Sequence, residues 1–343
     1  MTKSVSDIGE FGLIKRIQEI LPTVNNPEII VGIGDDTAVI RKDNHKVLLL
    51  TCDIQVENQH FRLKNISPYQ LGRRAMAVNL SDIAAMGGAP TFALVSLGFP
   101  KNFLTDSFDA LFAGMRDELA QFGAVVIGGN LSGTEKDLII NITLIGEAEK
   151  DAFVTRNQAQ PGNRIFVTGF PGGSAIGRLV LEQFDSRVPN NLTAFVEKHI
   201  QPVPRIHLGQ KLAQSGWVTA MIDISDGLIA DLKHICESSG VKSQVSFKNL
   251  ARLLSQNMLL EHGLRNLDKF IAYGGEDYEL LFTVKTNAPE EFVTELSKYF
   301  NIPITEIGVI VAENSETVLQ GIEDNELDFD LKGWDHFSKE DNS

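Results

Sequence analysis

Cysteine is nearly absent: Cys52 and Cys236 are the only two in 343 residues, and they stand far apart. Neither a disulfide framework nor a cysteine zinc site is indicated, and a reducing cytoplasm fits. The N-terminus lacks an apolar signal core, and nowhere do about 18 apolar residues run uninterrupted, as a bilayer span requires. The chain reads as soluble. Basic residues are outnumbered, 31 Lys and Arg against 45 Asp and Glu for a formal charge of -14, a balance that disfavours adhesion to nucleic acid or an anionic membrane. An acidic protein can still bind phosphates through metal ions. Low-complexity tracts are missing too, and 43% hydrophobic with 22% charged residues describes an ordinary globular protein. Its length is roughly twice that of a usual single domain, so two domains are expected. Neither a Walker sequence G-x-x-x-x-G-K-[S/T] nor the kinase H-R-D and D-F-G set occurs, so any nucleotide site is of another type.

What the chain does have is acids beside glycine bends. Val31-Gly32-Ile33-Gly34-Asp35-Asp36-Thr37-Ala38-Val39-Ile40 places two adjacent carboxylates at a bend between apolar runs. Such a pair must be solvated, protonated or neutralised by a cation; a hairpin tip would also account for it. Before it, apolar residues from Phe11 to Leu21 recur at helical spacing up to Pro22, as in an amphipathic packing helix. Strands are expected over 29–33 and 46–51, the second delivering Cys52, Asp53 and, further on, Glu57 and His60. A helix opens at Ser67-Pro68-Tyr69-Gln70, with a hydroxyl cap, a proline in the first turn and a capping-box glutamine, and closes at Gly87-Gly88. Between them the segment 75–86 is apolar nearly all round, which predicts a buried helix and makes Asn79 and Asp82 expensive. Three residues apart, the two share a face; they form either a structural hydrogen-bond pair or metal ligands, the second being preferred.

Further on come a helix over 105–122, a strand over 124–127, and a bend at Gly128-Gly129-Asn130-Leu131-Ser132-Gly133, where glycines could let phosphate approach the backbone. A strand over 138–145 closes an N-terminal domain, 1–149, and the rest, 150–343, forms a second. There, a strand over 164–169 exits at Gly172-Gly173-Ser174 into a helix, and helices over 192–199 and 205–215 lead to a strand over 218–222. That strand runs into Asp223-Ile224-Ser225-Asp226-Gly227. Asp226, near the start of the following helix, is accounted for as a cap; Asp223 is not. Gly274-Gly275-Glu276-Asp277-Tyr278-Glu279 sets three acids between a diglycine and the strand 280–284, a placement that favours function over a solvated surface. In the tail, Trp334 and Phe337 either pack onto the domain or stack on a flat ligand.

Acids at strand ends and in an apolar helix are hard oxygen ligands, implying magnesium rather than zinc. Magnesium commonly binds through carboxylates together with substrate phosphates, which points to phosphoryl transfer or nucleotide binding. At this point Gly32-Ile33-Gly34-Asp35-Asp36, the run from Ala77 to Gly87, Asp223-Ile224-Ser225-Asp226-Gly227 and the run from Gly274 to Leu280 resemble thiamine-monophosphate kinases, of the aminoimidazole-ribonucleotide-synthetase-like superfamily. The resemblance runs from about Glu10 to Phe337. It implies a two-domain α/β fold, an N-terminal mixed sheet with helices plus a larger C-terminal α/β domain, and a cytoplasmic homodimer formed through N-terminal strands. The N-terminal domain would carry the metal and ATP site and the dimer contact, and the C-terminal one would complete the nucleotide and substrate site. The implied activity is in-line transfer from ATP to thiamine monophosphate, giving thiamine diphosphate without a phosphoenzyme. By motif, Asp36, Asp53, Asp82 and Asp223 would hold Mg2+ ions on the polyphosphate and Asp226 another, with Thr51, Cys52 and Asn130 as further candidates. Gly129, Asn130, Arg156 and Ser225 would contact ATP, and His60, Glu276 and Trp334 the thiamine moiety, where a carboxylate and an aromatic suit a cationic thiazolium. Two departures stand out: Asn130 occupies a position that is often aspartate, and Cys52 one that is often a hydroxyl residue. One metal site is therefore expected to be weaker or differently filled. The rivals are an ATP-dependent relative of the selenophosphate or aminoimidazole ribonucleotide synthetase type and a silent nucleotide or thiamine-phosphate binding protein. No reactive cysteine stands in a glycine-rich N-terminal loop to favour the first, and only Asn130 hints at the second.

Overall fold

The computed structural model, which describes residues 5–21, 26–184, 187–253, 256–322 and 327, holds two six-stranded sheets, one in each half of the chain. Trp334 and the rest of the tail lie outside the described residues. The first half runs α1 (Gly9–Ile20), β1 (Ile29–Val31), β2 (Ala38–Arg41), β3 (Lys46–Val56), α2 (Pro68–Ala85), β4 (Ala89–Pro100), α3 (Thr105–Ala120), β5 (Val125–Thr134) and β6 (Ile139–Glu149). Its strands lie in the order β1-β2-β3-β6-β4-β5. Only β4 and β5 are parallel, and a parallel pair needs a crossover, which α3 supplies. Side-chain alternation decides which face is covered. Val47, Leu49 and Thr51 of β3 and Ile140, Ile142 and Leu144 of β6 are buried beneath α2, whereas Cys52, Ile54, Phe92 and Leu94 are exposed on the opposite face.

The second half runs β7 (Arg164–Thr168), α4 (Gly173–Phe184), α5 (Thr193–Ile200), α6 (Ile206–Gln214), β8 (Val218–Asp223), α7 (Leu228–Ser239), β9 (Val241–Ser246), α8 (Gln256–Glu261), α9 (Leu267–Tyr273), β10 (Leu280–Val284), α10 (Glu291–Phe300), β11 (Ile304–Ala312) and β12 (Val318–Gln320). The sheet order is β12-β9-β11-β7-β10-β8. Its central strands are apolar on both faces because both are covered. Ile165, Val167, Ile222 and Leu281 pack into a core with residues of the C-terminal helices. Phe166, Met221, Leu280 and Phe282 point the other way and join a core that also contains Leu49, Met76, Leu80 and Ile142. One hydrophobic cluster therefore spans the two halves.

Helix α2 is the hinge of that packing. Its start is a full capping box: Gln70 N–H donates to Ser67 Oγ at 3.3 Å, and Ser67 N–H to Gln70 Oε1 at 3.1 Å. It contacts the first sheet, α3, α6 and β8, which is why an all-round apolar sequence was needed. Backbone approaches backbone here. A Cβ on Gly72 would sit 2.0 Å from the Leu111 carbonyl oxygen, and one on Gly209 of α6 would sit 2.1 Å from that of Ala84.

Two expectations change. The segment 128–133 is not a bend but the middle of β5, an edge strand pairing with β4. Small residues allow the close pairing: a Cβ on Gly129 would lie 1.8 Å from the Val95 carbonyl oxygen. Residues 89–100, for which no element was expected, form the long strand β4. Among the described residues, no helix is long and apolar enough to cross a membrane.

Candidate active site

Four carboxylates from separate elements meet where the two halves join. Asp36 comes from the bend before β2, Asp53 from β3, Asp82 from the last turns of α2 and Asp223 from the end of β8. Burial pushes Asp36 up to about 8, with Arg156 opposing and Asp223 and Asp35 adding to the rise. Burial, and then the charge of Glu10, takes Asp53 to about 6. Asp223 likewise rises to about 6 through burial, Asp53 and Asp226 contributing and Arg156 opposing. Asp82 is pushed well up by burial and then by Asp53, Asp223 and Asp36. Each acid thus raises others, so the group cannot be fully ionised without a compensating cation. One oxygen each of Asp36 and Asp223 is buried with no hydrogen-bond partner. Spare buried oxygens on clustered carboxylates fit a hard divalent cation, and an all-oxygen donor set fits magnesium.

Neighbours orient these ligands. Thr51 Oγ1 donates to Asp82 Oδ2, so Thr51 stands on the acid side. Asp35 accepts the N–H of Asp36 at 3.0 Å and that of Arg156 at 3.2 Å, which makes it the clamp of the bend, while Asp36 keeps a spare oxygen. The guanidinium of Arg156 pairs with Asp36 and lies 3.6 Å from Asp35. Asn79 is not a ligand: its amide donates to the Ala75 carbonyl at 3.1 Å and its oxygen accepts the Asp53 N–H at 3.3 Å. It fixes the backbone that presents Asp53.

Cys52 faces away from Thr51 and Asp53. Neighbours in a strand point to opposite faces, so Cys52 lies on the open side, donating to Asn141 Oδ1 at 3.4 Å and accepting from Thr143 at 3.5 Å. Asn130 pairs with Ser96, which pairs with Asn141, which pairs with Ile54. Paired residues share a face, so Asn130 belongs to the open side, three strands and roughly 14 Å from β3. Gly129 occupies the same edge strand, outside the acid cluster.

Asp226 and Ser225 lie in the loop between β8 and α7, shaped by a residue that sequence reading passed over. Asp231, in the first turn of α7, accepts the N–H groups of Ser225 (3.1 Å), Asp226 (3.2 Å) and Gly227 (3.1 Å) with Oδ2. Asp231 thus holds two loop N–H groups and that of the N-cap Gly227, and an acid in a first turn was the available signal. Asp226, Asp231 and His234 bring ligand atoms within 4.8 Å of one another.

A cavity of about 580 Å³ opens beside the acids, lined by Asp53, Asp82, His60, Ser225, Asp226 and Glu276 among others. His60 Nδ1 accepts the Val56 N–H at 3.0 Å, so a neutral ring carries its proton on Nε2. Of the three acids in the 274–279 run, only Glu276 faces the cavity. Asp277 accepts the N–H of Gly172 at 2.5 Å and of Ser174 at 2.9 Å, capping α4. Glu279 takes a bidentate contact from Arg205, 2.7 Å each, with Lys198 at 3.2 Å and Thr168 at 2.6 Å. Burial works to raise Glu279, but Arg205 first and then Lys198 bring it down to about 2. Both acids are structural because they sit on the strand side of Glu276.

A two-domain α/β chain with this acid cluster across its junction is of the AIR synthase type. The family model for the N-terminal domain of AIR synthase related proteins matches residues 34–148, and that for the C-terminal domain residues 160–320. The thiamine-monophosphate kinase of Bacillus subtilis is 34% identical, over 96% of this chain and 99% of that protein, and the one from Haemophilus influenzae is 37% identical, over 88% and 89%. A solved structure described as AaThiL complexed with AMPPCP and TMP superposes with a TM-score of 0.83 at 32% identity, covering 98% of this chain and 99% of the other. The chain belongs to the thiamine-monophosphate kinase family.

Proposed function

We propose that this protein transfers the γ-phosphoryl group of ATP to thiamine monophosphate, forming thiamine diphosphate and ADP. The observation that carries the reading is the clustering of four acids: Asp53 and Asp82 line a cavity whose other lining includes His60 and Glu276, and Asp36 and Asp223, whose charges act on Asp82, each keep a buried oxygen without a partner among the described residues. Support comes from AMPPCP and TMP in the AaThiL complex, read as an ATP analogue and thiamine monophosphate. Asp36, Asp53, Asp82 and Asp223 would hold Mg2+, and Asp226 a further ion. When bound, Mg2+ neutralises charge as two anionic phosphates approach.

The residues then have separate tasks. Arg156, tied to the Asp35–Asp36 bend, and Ser225, fixed by Asp231, bound the nucleotide side. Glu276 offers a carboxylate to the thiazolium cation, and His60 an Nε2–H donor to the ring system. No side chain acts as a covalent nucleophile, since the acceptor is the substrate's own phosphate and catalysis is positioning plus electrostatics. The N-terminal half supplies three of the four acids and the C-terminal half Asp223, Glu276 and Ser225, so in this reading the site draws on both domains. The protein works as a cytoplasmic homodimer in this reading, paired through the open face where Ile54, Phe92, Leu94 and Val125 are exposed; burying such a patch is what an obligate interface does.

The test is incubation of purified protein with ATP, Mg2+ and thiamine monophosphate. Thiamine diphosphate and ADP should form in equal amounts. Binding of ATP without that product would favour a silent binding protein instead.

A further inference from the structure

Arg74 is 2% exposed, so its charge must be matched by neighbours; its Nε has no hydrogen-bond partner among the described residues, and both of the residue's contacts run through the terminal nitrogens. It belongs to α2, in the N-terminal half, yet its partners come from the C-terminal half. Nη1 donates to the carbonyl of His199, and Nη2 pairs with Glu276 Oε1 at 2.5 Å. Glu276 itself has φ 64, a left-handed conformation uncommon for a residue with a side chain, which persists only where its surroundings over-determine it. Two contacts do so: the Glu276 N–H donates to the Ser225 carbonyl at 2.7 Å, and Arg74 holds the carboxylate. The other oxygen, Oε2, lies 3.6 Å from His199 Nδ1, and that ring nitrogen is 3.1 Å from Ser174 Oγ.

Arg74 and Asp82 both line the cavity from the same helix. Eight residues separate them, about 12 Å along the helix axis. A rigid helix thus links the acid cluster to the carboxylate at the far end of the cavity.

We propose that Arg74 is a positioning residue for substrate recognition, fixing the Glu276 carboxylate toward the cavity at a set distance from the α2 acids. An acceptor that carries both a cationic ring and a phosphate is thereby gripped at both ends. The inference rests on the thiamine monophosphate reading of the same cavity.

The test compares Arg74→Lys, Glu276→Gln and the double variant in the full-length protein. Lysine keeps the charge but not the planar fork that reaches the His199 carbonyl and Glu276 together. Arg74→Lys should raise KM for thiamine monophosphate about tenfold, leave KM for ATP unchanged, and change kcat by less than about threefold. In the Glu276→Gln background, the same substitution should add less than about twofold. Losses that multiply independently, or a fall in kcat with a shift in KM for ATP, would overturn the proposal. Should Arg74→Lys fail to fold, Glu276→Asp, which withdraws the carboxylate from Arg74, decides: a selective rise in KM for the acceptor upholds the proposal and an unchanged KM overturns it. Wild-type protein that binds ATP but does not phosphorylate thiamine monophosphate would sink the functional reading and this inference with it, whereas intact wild-type turnover with independent losses would sink this inference alone.

Discussion

At Asp36 and Asp223, single buried carboxylate oxygens have no partner, and every acid of the cluster is shifted upward from the ordinary carboxylate range. An acid whose folded-state pKa exceeds its unfolded value binds more protons when folded, so its contribution to stability is present at low pH and lost as pH rises through the folded value. For Asp53 and Asp223 the loss runs from the unfolded value of 3.8 to about 6, and for Asp36 it continues to about 8. Metal-free protein in a chelator should therefore melt at a lower temperature at pH 8 than at pH 6, and added Mg2+ should recover more at pH 8. Asp82→Asn removes one of the repelling charges while keeping an acceptor for Thr51. In metal-free protein at pH 8 it should melt no lower than wild type, yet lose about 100-fold or more in turnover. A lower melting temperature with turnover preserved per folded molecule would make Asp82 structural. Asp82 and Asp223 stood out in the sequence because a carboxylate within an apolar helix, or after a strand without a capping role, lacks an ordinary reason to be there, whereas Asp36 had a hairpin tip as its alternative. Asp231 and Arg74 did not stand out: a first-turn acid and an arginine near a helix start look like surface residues until their partners, distant in sequence, are known. The side on which Cys52 falls was readable in advance, since strand alternation sets it opposite Thr51 and Asp53.

Helix α2 carries Arg74, Asn79 and Asp82 toward three different tasks, and its packing leaves it little freedom. Its approach to α3 is backbone to backbone, with Gly72 facing Leu111 and Gly114 facing Tyr69 at would-be Cβ distances of 2.0 Å. Gly72→Ala should lower stability by about 1–3 kcal/mol, read as a drop in melting temperature or denaturant midpoint; a neutral result would mean that α2 and α3 separate at little cost. Helix α2 was readable in advance because its capping box and closing diglycine are local signals. The glycine-rich run 128–133 was not readable as a strand, since glycine and asparagine suit bends and only pairing with β4 reveals their use. Residues 89–100 gave no clear period because the open face of β4 bears Phe92 and Leu94 where a polar alternation would have announced a strand.

Across the whole molecule the site depends on both halves, and one core cluster crosses the junction between them. Length suggested two domains and the family resemblance carried by the acid motifs implied their α/β architecture, whereas the shared core depends on contacts between residues more than a hundred positions apart. The open face of the first sheet bears on assembly: mass measured in solution by light scattering should be twice that of the 37.7 kDa chain, and Phe92→Lys should shift it toward the monomer. A monomeric wild type would remove the dimer from the account. The central claim is that acids from both halves serve phosphoryl transfer onto an acceptor that already bears a phosphate, recognised by its cationic ring. Its most direct test is product analysis with ATP and Mg2+, comparing thiamine monophosphate with thiamine. Thiamine diphosphate and equimolar ADP are expected from the monophosphate, with no phosphorylation of thiamine; phosphorylation of thiamine itself, or no transfer to the monophosphate, would refute the assignment.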